Sequence, residues 1–105
     1  MLLPLDGPGV YGNITVGTSA TEAKVGASKL SERSMITIQP LSEAVYFGYD
    51  SSVTIATGTK IYKGQIYPME AGDKLTIYLI SENAGNDIRI TEVGWWVARE
   101  EILRK

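Results

Sequence analysis

Lys74 to Ile80 reads KLTIYLI, with Leu75, Ile77 and Leu79 alternating against Thr76 and Tyr78. Spacing of two puts the three aliphatic side chains on one face of an extended chain, where a helix would need spacings of three and four. Outward from this stretch the same grammar repeats. Asp87 to Val93 (DIRITEV) sets Ile88 and Ile90 against Arg89 and Thr91, and Met35 to Gln39 (MITIQ) sets Ile36 and Ile38 against Thr37 and Gln39. Ala44 to Tyr49 (AVYFGY) places Val45, Phe47 and Tyr49 on one face. Gly48 lies opposite them, as expected for a bulge or a close approach by another backbone.

Val10 to Val16 and Ala20 to Val25 read as further short strands, and Gly26 to Ser34 reads as a polar loop between the second of them and Met35. Pro40 ends the Met35 strand because it has no N–H for a ladder. Val53 to Ile55 reads as a short irregular edge. Lys60 to Tyr62 and Gln65 to Met69 read as a tight hairpin or one bent strand, with Pro68 favouring a sheet edge. Seven or eight strands, separated by turn clusters roughly 8 to 12 residues apart, predict an all-β chain folded as a sandwich or barrel.

In the chain's 105 residues this leaves room for one domain. Residues 1–9 read as an N-terminal arm, 10–94 as the β-sandwich domain and 95–105 as a C-terminal tail or short amphipathic helix. The arm is apolar at Leu2, Leu3 and Leu5 without a preceding basic residue, and neither a signal peptide nor a membrane span is expected from it. The tail WWVAREEILRK carries Trp95, Trp96, Ile102 and Leu103. Each large apolar side chain gains about 1.5–3 kcal/mol on burial, so the tail is expected to dock, either on its own domain or on a neighbouring subunit.

Composition removes many chemistries. The sequence has no histidine and no cysteine, which excludes imidazole-based nucleophilic catalysis, thiolate metal sites and disulfides. A net charge of −2 without a basic run gives no footprint for nucleic acid. Gly7, Gly9 and Gly12 spell GxGxxG, yet Pro8 interrupts the motif and a strand follows where a phosphate-binding fold needs a helix. Asp50, Asp73 and Asp87 flank turns, where carboxylates serve as turn formers, and no catalytic residue, metal or cofactor is expected. The six tyrosines, beside one phenylalanine, suit half-buried surfaces between proteins or stacked on sugars, and Tyr46 and Tyr78 face away from the inward sets of their strands.

From Thr18 to Gly94, about three quarters of the chain, the sequence resembles small virion structural proteins of tailed bacteriophages. The matching positions are Met35 to Gln39, Val45 to Gly48, Val53 to Gly58, Ala71 to Leu75 and Asp87 to Glu92, with Pro40 where that group has asparagine. The resemblance implies a jelly-roll-like sandwich found as a head decoration protein or as a module of head or tail fibres. The expected function is that of a non-enzymatic decoration, or cement, protein on the capsid surface of the virion. It would bridge major capsid protein subunits as a homo-oligomer, a trimer rather than a dimer, without nucleic acid or membrane. The expected partner-binding residues are Leu2, Leu3, Leu5, Tyr46, Trp95, Trp96, Ile102 and Leu103. The alternative is a receptor- or glycan-binding fibre module using Tyr46, Tyr49, Tyr62 and Tyr67 as stacking platforms, with Asp50 or Asn83 as hydrogen-bonding groups.

Overall fold

The computed structural model describes residues 8–94. Eight strands run through them: β1 (Gly9–Val16), β2 (Thr21–Glu22), β3 (Arg33–Pro40), β4 (Val45–Gly48), β5 (Thr59–Ile61), β6 (Tyr67–Glu70), β7 (Tyr78–Ile80) and β8 (Asn86–Gly94). All pairings are antiparallel, and there is no helix among the described residues. One sheet has the order β1-β8-β3-β6 and the other β2-β7-β4-β5. Apart from the β4–β5 step, each connection therefore leaves one sheet for the other. Val16, Ile36, Ile38, Ile88 and Ile90 of the first sheet and Val45, Phe47, Ile61 and Leu79 of the second belong to one buried cluster. The result is a sandwich-like structure with a single core between two four-stranded sheets.

Strand β8 is the axis of the first sheet. It pairs over its whole length with β1, from Gly9 opposite Val93 to Val16 opposite Asn86, and on its other side with β3. Its inward column is Asn86, Ile88, Ile90 and Glu92, all buried. The two isoleucines join the core, while the polar residues at either end tie down the loops. Asn86 Oδ1 accepts from the backbone N–H groups of Ser42 and Glu43, and its Nδ2 donates to Glu43 O, Ala44 O and Ser81 Oγ. At the opposite end Arg33 Nη1 donates to Glu92 Oε2 at 2.9 Å, with both side chains fully buried.

The Arg33–Glu92 pair is knitted into both adjoining loops. Arg33 Nε donates to Ala71 O, and Nη2 donates to Gly72 O and Leu75 O. Glu92 accepts from the N–H groups of Val25 and Leu30. Strict alternation in β3 would place Arg33 with Thr37 and Gln39 on the outer face. A register shift between Arg33 and Met35 inserts one extra residue and turns Arg33 inward beside Ile36 and Ile38.

The expected strand set is recovered with local differences. Arg33 and Ser34 belong to β3 rather than to the preceding loop, and only Thr21 and Glu22 of the Ala20–Val25 stretch form a ladder. Leu75, Ile77 and Leu79 do face the core, but the ladder of this stretch is confined to Tyr78–Ile80, since Leu75 O is taken by Arg33. Lys60–Tyr62 and Gln65–Met69 form neither a hairpin nor one strand: β5 edges the second sheet and β6 the first, with Pro68 on an edge as expected. Tyr49 does not complete the inward face of β4 and is exposed, while Val53 forms no strand and is buried. The close approach at Gly48 comes from the Val53 side chain, whose Cγ2 would lie 2.8 Å from a Cβ at Gly48 and 2.9 Å from one at Gly58.

Replacing one partner of a fully buried ion pair strands the other charge. Glu92→Ala is expected to cost about 3–5 kcal/mol in urea denaturation. Arg33→Met/Glu92→Leu removes both charges and is expected to cost less than Glu92→Ala alone, although three loop carbonyls lose their donor. A double variant less stable than the single one would show that holding those carbonyls, and not charge pairing, is the larger contribution.

Candidate functional site

The outer face of the second sheet carries a row of side chains set by register. Val45 and Phe47 point into the core, so Tyr46 between them points out, opposite Lys60 of β5 and Ile80 of β7. One step along, Gly48 faces Tyr78, which in turn faces Glu22 of β2. Lys60 Nζ lies 4.9 Å from the ring centroid of Tyr62 and 5.9 Å from that of Tyr46. At such distances a cation is drawn to the ring face, by about 0.5–1 kcal/mol at an exposed site. The ion pairs among the described residues join Glu22 to Lys24 and Lys29, Arg33 to Glu92, and Arg89 to Asp87, which leaves Lys60 without a carboxylate partner there. Tyr62 is 62% and Ile66 64% exposed, so aromatic and aliphatic surface continues beyond the sheet into the β5–β6 connection.

The remaining tyrosines divide. Tyr67 is half-buried and packs against the core, its ring centroid 5.5 Å from that of Phe47. Tyr49 is exposed, 6.0 Å from Phe47 in a tilted arrangement. Tyr11, on the outer face of the first sheet, is 84% exposed and borders a shallow depression with Asn13, Gln39, Arg89 and Thr91.

The polar groups expected to serve recognition are engaged in hydrogen bonds within or between loops. Asp50 Oδ1 accepts from the N–H and the hydroxyl of Ser52, an Asx turn that holds the Asp50 carboxyl below its ordinary pKa. Asn83 gives both its side-chain amide and its backbone N–H to the Glu43 carboxylate, which lowers the pKa of Glu43. Asp73 accepts from Glu32 N–H, and Asp87 pairs with Arg89. Asp50, Glu43 and Asp73 act as loop clips, the first within one turn and the other two between segments far apart in the chain.

The two ends of the described chain meet at the Glu92 end of the first sheet. Gly94 N–H donates to Pro8 O at 2.8 Å, so the first and last described residues are neighbours. A Cβ at Gly94 would lie 3.1 Å from Glu32 O and 3.4 Å from Pro8 Cδ, which shows how closely the strand ends are packed there. Of the sequence-predicted partner-binding residues, Tyr46 lies on the outer face of the second sheet. Leu2, Leu3, Leu5, Trp95, Trp96, Ile102 and Leu103 lie outside the described residues.

The chain matches no protein-family model, no curated protein and no solved structure.

The Glu43–Asn83 clip has a testable pH signature. The Glu43 carboxyl is stabilised in its ionised form in the folded chain, so its contribution is present above the unfolded-state pKa near 4.5 and fades as pH falls through the lower folded value. An NMR titration is expected to show the Asn83 amide resonances moving with a midpoint below 4.5, and Asn83→Ala is expected to bring the Glu43 midpoint back toward 4.5.

Proposed function

We propose that this chain is a non-enzymatic virion structural protein, a decoration protein that binds the outside of a bacteriophage head and bridges major capsid protein subunits. The observation that carries the reading is the meeting of the two chain ends at Pro8 and Gly94. Leu2, Leu3 and Leu5 precede Pro8 in the sequence and Trp95, Trp96, Ile102 and Leu103 follow Gly94, so both apolar groups are joined to neighbouring points of one end of a small body. Two apolar segments anchored together act as linked binding elements, each raising the effective concentration of the other at a shared surface. The strand order β1-β8-β3-β6 over β2-β7-β4-β5 supports the finer fold reading, because two interlocked Greek keys closed in this order make a jelly roll, an architecture used by capsid proteins and also by lectins. Binding free energy, rather than a reaction, is the work such a protein performs.

The exposed ring of Tyr62, with the half-buried ring of Tyr46 beside Lys60, favours a second reading, a glycan-binding module of a head or tail fibre. A sugar stacking there would displace Lys60 from the ring faces. Asp50 and Asn83, which that reading needs as free hydrogen-bonding groups, are committed to Ser52 and Glu43.

Mass spectrometry of separated heads and tails from the phage encoding this sequence distinguishes the two. The decoration reading expects the chain on heads and higher thermal stability of heads carrying it; recovery on tails alone would refute it. Removing residues 95–105 is expected to abolish head binding while the β-sheet circular dichroism signal is kept. Signal on a glycan array at millimolar ligand, lost in Tyr62→Ala, would favour the fibre reading.

A further inference from the structure

The two sheets have four edges, and three of them are blunted. Strand β2 is two residues long, β5 is three residues with Lys60 at its centre, and β6 is four residues with Pro68 and Glu70. Short length, charge and proline are the usual protections of an exposed edge. Strand β1 has none of them. Its sequence GVYGNITV is eight residues without a charge, a proline or a bulge, and among the described residues it pairs with β8 alone.

Which backbone groups this edge exposes follows from the register. Gly94 N–H donates to Pro8 O, so Pro8 directs its C=O, and residues 10, 12, 14 and 16 direct their N–H and C=O groups, toward β8. The N–H and C=O groups of Gly9, Tyr11, Asn13 and Thr15 point away from the sheet, an unbroken ladder without a partner strand among the described residues.

We propose that this edge pairs with a second copy of the same chain, β1 against β1 in antiparallel register about a twofold axis at Gly12. The strand is self-complementary in that register. Tyr11 stands opposite Asn13 of the second copy and Gly9 opposite Thr15, so every edge N–H meets an edge C=O, eight hydrogen bonds in all. On the core side Val10 stands opposite Ile14, an apolar pair beside the existing core. Gly12 stands opposite itself at a non-hydrogen-bonded position, where strands come closest, about 4.5 Å between Cα atoms. A shift of one residue would mismatch both the faces and the bonding groups, and a shift of two would leave strand ends unpaired. The assembly joins two four-stranded sheets into one of eight, and Tyr11, the most exposed large apolar residue among those described, gains a cross-strand neighbour. The axis is twofold rather than the threefold expected from the sequence, and the pairing does not rest on the virion reading. It sends the Pro8–Gly94 ends of the two copies in opposite directions, so the dimer would span two attachment points.

The full chain is expected to sediment at twice its 11.4 kDa mass in analytical ultracentrifugation. Asn13→Pro removes an N–H that faces the open edge, so it spares the β8 ladder while deleting two of the intermolecular bonds. It is expected to weaken the dimer by about tenfold or more, with the thermal unfolding of the monomer preserved. Should that variant fail to fold, Tyr11→Glu/Asn13→Glu provides the second arm, since each carboxylate then faces another across the axis and a folded monomer is expected. The register is read by cysteines, of which the chain has none. Tyr11→Cys/Asn13→Cys is expected to form an oxidised dimer, whereas Tyr11→Cys alone and Asn13→Cys alone are not. A wild-type monomer at hundred-micromolar concentration, a trimer, or a dimer unchanged in folded Asn13→Pro or Tyr11→Glu/Asn13→Glu would overturn the proposal. Cross-linking by either single cysteine would overturn the Gly12 axis.

Discussion

The buried pair between Arg33 and Glu92 is the constraint on which one end of the molecule depends. Its guanidinium holds three carbonyls of the 71–75 loop, and its carboxylate holds N–H groups of Val25 and Leu30 in the long β2–β3 connection. These bonds add fixed partners to the apolar contacts that Val25, Ala71 and Leu75 make with the core from the same two loops. Two charges taken out of water are tolerated because nearly every lone pair and proton they present is used, the condition under which a buried pair is retained. The same end carries the Pro8–Gly94 contact on which the proposed function draws, so that contact rests on this pair as well.

At the other end of β8, Asn86 performs the equivalent task without charge. It gathers the 42–44 backbone and the Ser81 hydroxyl on one amide, while Glu43 and Asn83 tie the outer parts of those loops together. Strand β8 thus works as a spine with two apolar residues between two polar clips. Its central position, hydrogen-bonded on both sides, also means that the exposed edges fall to β1 and β6, and only β6 is protected by its composition.

Much of this architecture is legible in the residues. The inward pairs Ile36 and Ile38, Ile88 and Ile90, and Ile77 and Leu79 follow from period-two alternation, and Pro68 on an edge follows from its missing N–H. Glu92 was also within reach, since it shares the parity of Ile88 and Ile90 and is thereby aimed at the core. Its partner was not: the extra residue in β3 changes the parity of Arg33, and a bulge leaves no distinct mark in the string RSMITIQ. Tyr46 was correctly placed on an outer face by the same alternation, whereas Tyr67 looked like surface and packs on Phe47 instead.

By itself the sequence determined the strand class, the inward faces and the excess of apolar residues at the two ends, because these depend only on the period of side chains along an extended chain and on composition. The tertiary structure decided which strands are neighbours, that β5 and β6 part to different sheets, that Arg33 turns inward, and that Pro8 meets Gly94. These are pairings between residues far apart in the chain. They are fixed by the joint requirement to bury both sheet faces and bond every ladder group, which no local stretch contains.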